Sequence, residues 1–286
     1  MSCAHFRLVL DMMHSTMGQG FPAMLNTLGI DSVVLNAYQD ERLLSRTMSK
    51  NKQGVDEVCR IVLSLGAAMG CLISPHGEKM DVVVNRGQLM RPDEFLLMLI
   101  KLIDLTSLTA VQVYVPTPTP MVLDDQLERV KIVRGNMLHL TPQQMMSYAL
   151  VVDLENHILF PKYHLFPDAL LLTLEMIRML CASKMTIAEV FALIPPYVAT
   201  HKVIGCPLEK KGLLMRKMSE EASGKDASYA DGVKITFPNV GWVLMLPDQY
   251  SPNVHIYAET KTLRDLRRLS KKYQEKINEW IEQEIE

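Results

Sequence analysis

Residues 63–104 constrain the fold more than any other stretch of the 286-residue sequence. Two short apolar runs, at residues 71–74 and 80–85, are separated by the turn Pro75-His76-Gly77, and an amphipathic segment opens near Pro92. Short apolar runs between turn residues are typical of buried strands, and an apolar stripe that follows a proline is typical of a helix. The pattern therefore predicts a polar loop at the carboxyl end of a strand, where open α/β sheets place their ligands.

The same alternation of strand and helix patterns continues up to Cys206. Residues 6–11 and 31–36 are apolar runs on either side of a glycine-containing turn and a helical pattern, which predicts a βαβ unit. Residues 111–115 predict a further strand, and a helix is predicted at about residues 121–128. Beyond Cys206 the order changes to a helix, three short strands and a final helix. We therefore predict two α/β units followed by a smaller α+β domain.

The composition argues against several classes of protein. The chain is 48% hydrophobic and 22% charged with a net charge of −2, which is ordinary for a globular protein and indicates no attraction to nucleic acid. No apolar run approaches the roughly 20 residues that span a bilayer, and the N-terminus lacks a signal-peptide pattern. The scattered cysteines include no C-x-x-C pair, which predicts reduced thiols. We therefore expect a cytoplasmic protein that binds neither nucleic acid nor a membrane.

The final helix carries apolar residues three and four positions apart. Such a stripe is typical of a helix that packs on a core, and it can also form an oligomer contact, so a homo-oligomer is a further expectation. The stripe comprises Leu263, Leu266, Leu269, Tyr273, Ile277, Trp280 and Ile281.

Several short stretches, taken in order, resemble the phosphohexomutase superfamily, which includes phosphomannomutases and phosphoglucomutases. They are most similar to the mutase-like C-terminal half of bacterial fusion proteins whose N-terminal half is a mannose-1-phosphate guanylyltransferase. The stretches are Asn36-Ala-Tyr-Gln-Asp-Glu41, Pro116-Thr-Pro-Thr-Pro-Met121, Phe160-Pro-Lys-Tyr163, Cys206-Pro-Leu-Glu-Lys-Lys-Gly212 with Met215-Arg216, and Leu246-Pro-Asp248 leading into His255-Ile-Tyr-Ala-Glu259.

This resemblance covers nearly the whole chain and implies its domain organisation. It implies two consecutive α/β/α sandwich domains, at residues 1–85 and 86–205. A small TBP-like α+β domain with a four-stranded sheet and helices follows at residues 206–286. The family's first domain carries a phosphoserine, and no T-x-S-H-N-P type sequence occurs in this chain. We therefore expect that first domain to be absent.

The family holds magnesium in an acidic loop of the type D-G-D-x-D-R, which corresponds to residues 74–79. Ser74, His76 and Glu78 stand where the family has aspartates, and Lys79 stands where it has arginine. Magnesium prefers a near-octahedral shell of oxygen ligands, which one carboxylate beside a lysine does not offer. The resemblance therefore implies a degenerate metal loop, and no metal or other cofactor is expected unless the chain is an active mutase, which would use Mg²⁺.

Two further loops of the family are altered here. The sugar loop, of the type G-E-x-S-G-H, corresponds to residues 152–157, and the phosphate loop, of the type R-P-S-G-T-E-P, corresponds to residues 246–252. Loss of the arginine removes a bidentate phosphate contact, and Asp248 adds a repelling charge, so no catalytic residue is assigned. The implied sugar-loop residues are Asp153, Glu155, Asn156 and His157, and those of the degenerate phosphate loop are Leu246, Asp248, Gln249, Tyr250 and Ser251.

Two further features of the sequence could form a site. His157 and His164 flank a strand and could face a ligand with Asp168, but a structural role is favoured because no third ligand has suitable spacing. A basic patch on one helix is most often a solvated face, although it could bind an anion or an acidic partner. The patch comprises Lys210, Lys211, Arg216 and Lys217.

Three hypotheses about function follow. The main one is a catalytically inactive mutase-like module that supports or regulates a sugar-nucleotide pyrophosphorylase domain or subunit, with a sugar phosphate as possible ligand. The second is an active phosphomannomutase or phosphoglucomutase completed by a separate serine-bearing domain. The third is a purely structural oligomerisation module built on the final helix.

Overall fold

The computed structural model describes residues 6–40 and 52–282. Glu41 of the first family-like stretch and Cys3, one of the scattered cysteines, lie outside the described residues. The chain divides into two compact units: unit 1 comprises residues 1–116 and 123–195, and unit 2 comprises residues 117–122 and 196–286.

The first sheet of unit 1 contains the predicted βαβ unit. Strands β1 and β2 pair in parallel, and β1 also pairs in parallel with β3, so β1 lies at the centre of the order β2-β1-β3-β4-β5. A Cβ on Gly70 of β3 would lie 2.6 Å from a Val58 methyl group, so glycine allows helix α2 to approach the sheet closely. The elements are β1 (Arg7–Asp11), α1 (Gly20–Thr27), β2 (Asp31–Leu35), α2 (Lys52–Leu65), β3 (Met69–Ile73), β4 (Met80–Val84) and β5 (Gln88–Leu89).

The second sheet of unit 1 has the strand order β7-β6-β8-β9. The helix expected at residues 121–128 is not formed, and both ends of this segment are bonded to distant residues: the Met121 N–H donates to Glu259, and the Glu128 N–H donates to Asp104. Asp104 accepts hydrogen bonds from the backbone N–H groups of Glu128, Arg129 and Val130 at 2.8–3.1 Å. The elements are α3 (Pro92–Thr106), β6 (Val111–Val115), β7 (Val130–Arg134), α4 (Pro142–Met145), β8 (Leu150–Val152), β9 (Ile158–Leu159), α5 (Ala169–Ser183) and α6 (Ile187–Ala192).

Unit 2 contains an antiparallel sheet of five strands, where four were expected. Strand β10 lies before residue 206, in a segment to which no strand was assigned, and β11 reads Asp-Ala-Ser, residue types that are uncommon in strands. Both form because β10 pairs with β14, and β11 with β12. The elements are β10 (Val198–Gly205), α7 (Lys211–Ala222), β11 (Asp226–Ser228), β12 (Val233–Phe237), β13 (Gly241–Pro247), β14 (Asn253–Thr260) and α8 (Leu263–Glu282).

The apolar stripe of α8 belongs to the core of unit 2. Tyr273 and Ile277 are fully buried against the sheet, and Trp280 and Ile281 pack on the same cluster. The core interpretation of the stripe is therefore confirmed, whereas the homo-oligomer stays a prediction.

The segment 117–122 belongs to unit 2 although it lies far from the rest of that unit in sequence. Glu259 is buried, and its Oε2 accepts hydrogen bonds from the backbone N–H of Met121 at 2.8 Å and from the indole N–H of Trp242 at 2.7 Å. Lys234 places its ammonium 4.0 Å from the centre of the Trp242 ring. One buried carboxylate thus fastens the segment to the sheet.

The mixed α/β fold agrees with phosphohexomutase-type domains, while the boundaries at 85 and 205 and the TBP-like form of the last domain stay predictions. Cys59, Cys71 and Cys206 are free, but Cys181 is disulfide-bonded, so the expectation of uniformly reduced thiols was wrong. Spacing alone does not reveal which cysteines a fold brings together. Within residues 6–40 and 52–282, no helix is both long and apolar enough to cross a bilayer.

Candidate functional site

The loop of residues 74–79 follows strand β3 and is closed by its first residue. The Ser74 hydroxyl accepts hydrogen bonds from the backbone N–H groups of Glu78 at 3.2 Å and Lys79 at 3.0 Å, and the Ser74 N–H donates to the Lys79 carbonyl. Gly77 has a φ of +74°, a conformation that glycine adopts without strain. His76 is exposed at the tip. The loop therefore holds a defined shape through its own backbone.

The loop of residues 153–157 joins β8 to β9 and orients a histidine. One oxygen of Asp153 accepts the backbone N–H groups of Glu155 and His157, both at 2.9 Å, and the other lies 2.7 Å from His157 Nδ1. An ionised carboxylate only accepts hydrogen bonds, so Nδ1 carries the proton and Nε2 of the neutral ring carries a lone pair. Asn156, at a φ of +62°, forms the turn. Asp153 thus fixes the tautomer of His157.

These two loops meet in unit 1. Lys79 Nζ lies 3.0 Å from Glu155 Oε2, and His157 Nε2 lies 4.0 Å from Glu78 Oε2. The backbone N–H of Ala169, the first residue of α5, donates to the Gly77 carbonyl at 2.8 Å. The structure thus brings side chains of the two loops together near the start of α5.

The side chains of this site do not fit a magnesium ion. Glu78 is the one carboxylate in the 74–79 loop, the Ser74 hydroxyl is engaged by two backbone N–H groups, and Lys79 adds a positive charge. Over the described ranges, no group of three His, Cys, Asp or Glu side chains is arranged to hold a metal ion. Magnesium requires several oxygen ligands and is repelled by a neighbouring positive charge, so this set of side chains disfavours it.

His157, His164 and Asp168 do not form one cluster. His157 faces Asp153 and Glu78, whereas His164 Nε2 lies 3.4 Å from Asp168 Oδ2. Asp168 caps α5, since its Oδ1 accepts the N–H groups of Leu170 and Leu171 at 2.9 Å. The structural role favoured for His164 agrees with this arrangement.

Two further acidic residues of unit 1 were not singled out from the sequence. Glu175 on α5 is buried and accepts hydrogen bonds from Tyr163 Oη and Arg178, and although burial raises its pKa, these bonds hold it below the ordinary value. Asp81 on β4 lies two residues beyond Lys79, and burial raises the pKa of its carboxyl. A charged residue within an apolar helix stripe is the signal that would have identified Glu175.

The loop of residues 246–252 lies in unit 2 and is held by hydrogen bonds between its own residues. Asp248 Oδ1 accepts the backbone N–H groups of Tyr250 at 2.7 Å and Ser251 at 2.8 Å, and its Oδ2 lies 3.1 Å from His255 Nε2. Leu246 is buried on the sheet, whereas Gln249 and Tyr250 are exposed. The carboxylate expected to repel a phosphate is therefore hydrogen-bonded by the loop that carries it.

The side chains of the basic patch, at residues 210–217, are hydrogen-bonded or ion-paired. Lys210 donates to the Ile281 carbonyl, and Lys211 donates to the carbonyls of Asp248 and Ser251. Arg216 and Lys217 both lie within 4 Å of Glu220. Only part of the patch is thus a solvated face, because Lys211 supports the 246–252 loop.

Known proteins resemble this chain in both sequence and fold, although no family model matches the sequence. A probable phosphoglucosamine mutase from Methanosarcina barkeri is 25% identical over 260 residues, which cover 89% of this chain and 58% of that protein. Another, from Methanosarcina acetivorans, is 26% identical over 245 residues, covering 84% of this chain and 55% of that protein. A phosphoglucomutase/phosphomannomutase family protein from Burkholderia thailandensis has a solved structure that matches with a TM-score of 0.78 at 17% identity, over 96% of this chain and 60% of that one.

The two Methanosarcina relatives correct the main hypothesis. They are archaeal proteins named as phosphoglucosamine mutases, so the hypothesis of an inactive module attached to a bacterial guanylyltransferase was wrong. The hypothesis rested on altered loops and short stretches, whereas the similarity to phosphoglucosamine mutases extends over most of the chain. The chain spans little more than half the length of these relatives. The chain is thus similar in sequence to phosphoglucosamine mutases and in fold to a phosphoglucomutase/phosphomannomutase family protein.

Proposed function

We propose that this chain is part of a phosphohexomutase that moves a phosphoryl group between the 6- and 1-oxygens of a hexosamine phosphate. The observation that carries the proposal is the meeting of the 74–79 and 153–157 loops at the carboxyl end of strand β3. The names of the archaeal relatives support a hexosamine as the sugar. The reaction also needs a phosphoryl carrier, and we propose that a serine-bearing segment outside this sequence supplies it.

His157 acts as the general base in this proposal. Asp153 Oδ2 lies 2.7 Å from His157 Nδ1 and accepts its proton in a hydrogen bond, so that Nε2 can accept the proton of a sugar hydroxyl. As the hydroxyl oxygen bonds to phosphorus, the bond between phosphorus and the carrier oxygen breaks, and the carrier leaves as the anion. The reverse sequence at the other sugar position returns a phosphoryl group to the carrier.

Lys79 supplies positive charge in the same site. Its ammonium is paired with Glu155, but the two side chains are 34% and 72% exposed, so solvent screens the pair and a phosphate can compete for the lysine. No step is assigned to magnesium because the donor set does not fit that ion.

The test combines the full chain with a separately produced serine-bearing domain of an archaeal phosphoglucosamine mutase. Glucosamine 6-phosphate and mannose 6-phosphate are supplied in turn, and formation of the sugar 1-phosphate is followed by a coupled assay. We expect activity with glucosamine 6-phosphate, and a fall of about 100-fold or more in His157→Gln, which removes the base.

His139→Gln is the matched control, because His139 is exposed on a short turn of helix. It is expected to keep full activity. Absence of product from the folded pair of proteins, or equal activity of both histidine variants, would contradict the proposal. A preference for mannose 6-phosphate would leave the mutase reaction standing and change its sugar.

A further inference from the structure

The solvent-facing side of helix α8 carries charges that divide by sign along the helix. The opposite side packs on the core of unit 2. The exposed charged residues in the first half of the helix are all basic, and those in the second half are all acidic. These residues form the outer face of α8: Arg264, Arg267, Arg268, Lys271 and Lys272, followed by Glu275, Glu279 and Glu282.

The stability of the helix itself does not explain this order of charges. A helix favours acidic residues in its first turn and basic residues in its last turn. Asp265 lies in the first turn, but the last turn contains Glu279 and Glu282 and no basic residue. Lys271 and Glu275 pair at 3.6 Å with the lysine first, which is the less favourable order along a helix. The pattern therefore points to an interaction made outside the helix.

Much of the outer face is available to another molecule. Along the ranges that the structure describes, no ion pair is formed by Arg264, Glu279 or Glu282. Arg268 pairs with Asp265 at 2.9 Å, but its side chain is 71% exposed, so its guanidinium can still bind a second carboxylate. The outer face thus offers unpaired charges of both signs.

The two halves of the outer face are complementary to each other in an antiparallel arrangement. When a second copy of the helix runs in the opposite direction, a residue before the middle of one helix faces a residue equally far after the middle of the other. Arg264 lies nine positions before Tyr273, and Glu282 lies nine positions after it. To within one position, the pairs related in this way are Arg264 with Glu282, Arg268 with Glu279, and Lys271 with Glu275.

These pairs also project from one side of the helix. At about 100° per residue, Arg264 and Glu282 both point away from the fully buried Tyr273. The other four residues of the pairs lie within about 60° of the same direction. A two-fold axis at the level of Tyr273 therefore places each basic residue of the pairs opposite an acidic residue of the second copy.

We infer that the outer face of α8 binds a second copy of this chain, with the two helices antiparallel and the basic half of each on the acidic half of the other. A nucleic acid or an anionic membrane would be repelled by the acidic half, whereas a second copy complements both halves. Exposed ion pairs are individually weak and are screened by salt, so the dimer is weak and salt-sensitive. The inference does not depend on the proposed mutase reaction.

The test measures the mass of the full chain by sedimentation equilibrium at low and high concentrations of sodium chloride. The dissociation constant of the dimer is expected to rise by at least about tenfold at high salt, because salt screens exposed charges. Arg264→Glu combined with Arg268→Glu sets acidic residues against acidic residues and is expected to leave the chain monomeric. Adding Glu279→Arg and Glu282→Arg reverses both halves and is expected to restore the dimer.

The reversed charges suit the helix dipole, so neither variant is expected to unfold α8, and circular dichroism checks this. If the first variant does not fold, Arg264→Gln with Arg268→Gln is measured in its place and is expected to weaken the dimer. Arg60→Glu with Arg216→Glu is the matched control, since it makes the same change of charge at exposed positions on α2 and α7. It is expected to keep the dimer.

Three results would overturn the inference. The first is a chain that stays monomeric at low salt, including one whose basic half binds heparin instead. The second is a dimer that survives the loss of both arginines. The third is a folded, fully reversed variant that remains monomeric, because complementary halves of either polarity must associate.

Discussion

The polar loops of the two units differ in how their exposed and half-buried charges find partners. In unit 1, Lys79 and Glu155 face each other from different loops, and Glu155 is 72% exposed. In unit 2, Asp248 is hydrogen-bonded by donors of its own loop and is 24% exposed. The pair between Lys79 and Glu155 leaves both charges accessible to a ligand, whereas the charge of Asp248 is satisfied by its own loop. Asp153 in unit 1 is also satisfied within its own loop, so the accessible charges of the candidate site are those that pair between loops.

The largest stability effect that tests this comparison is expected for Asp248→Asn. The variant loses the charge-assisted hydrogen bonds and turns an amide N–H₂ toward His255, so its free energy of unfolding at pH 7 is expected to fall by about 2 kcal/mol. Because the folded-state pKa of Asp248 is lowered, its contribution is complete above the ordinary aspartate pKa and is lost as the pH falls through the folded value.

Urea unfolding at pH 7 and near pH 3 checks this expectation. The difference between the unchanged chain and Asp248→Asn is expected to shrink at the lower pH, and Asp226→Asn is the exposed control. A difference of the same size at both pH values would contradict a closed loop held by an ionised carboxylate.

A smaller effect is expected for Ser74→Ala in unit 1. The substitution leaves the backbone N–H groups of Glu78 and Lys79 without their acceptor in a partly buried loop, which is expected to cost about 1 kcal/mol. Ser64→Ala on the exposed face of α2 is the matched control, and thermal unfolding is the measurement. A loss no greater than that of the control would mean that the 74–79 loop does not depend on its hydroxyl.

The smallest effect is expected for the ion pair that joins the two loops of unit 1. Glu155→Gln is expected to change the free energy of unfolding by less than about 0.5 kcal/mol, because the pair is exposed and screened. A double-mutant cycle with Lys79→Gln, at low and high salt, measures the coupling. A coupling free energy above about 1 kcal/mol would show that the pair stabilises the fold. The two units would then not differ in the way described above.

Buried strands could be predicted from the sequence because their apolar residues are consecutive. The run at residues 111–115 is strand β6, and the apolar stripe of α8 is the core contact that its spacing predicted. The helix expected at residues 121–128 is absent, and the N–H groups at the two ends of that segment are instead bonded to Glu259 and Asp104, which are distant in sequence. Local patterns carry no information about such a partner.

The candidate site could be predicted from the sequence only in part, because its residues come together through contacts between distant segments. The resemblance located the loops that carry Glu78 and His157, but their separation of 4.0 Å depends on the packing of two sheets. Asp248 was read as a repelling charge because a sequence shows the carboxylate and not the three N–H donors around it. The direction of backbone groups in a loop is set by the fold and has no signature in composition.

The bond between Met121 and Glu259 has a consequence for synthesis of the chain. The two residues are 138 positions apart, so the ribosome incorporates Met121 long before it incorporates Glu259. At about 5–20 residues per second, the delay is on the order of 7–30 seconds. The segment 117–122 cannot bond to Glu259 until the remainder of unit 1 and most of unit 2 have been synthesised. In a nascent chain halted before residue 259, this segment would stay exposed to proteases.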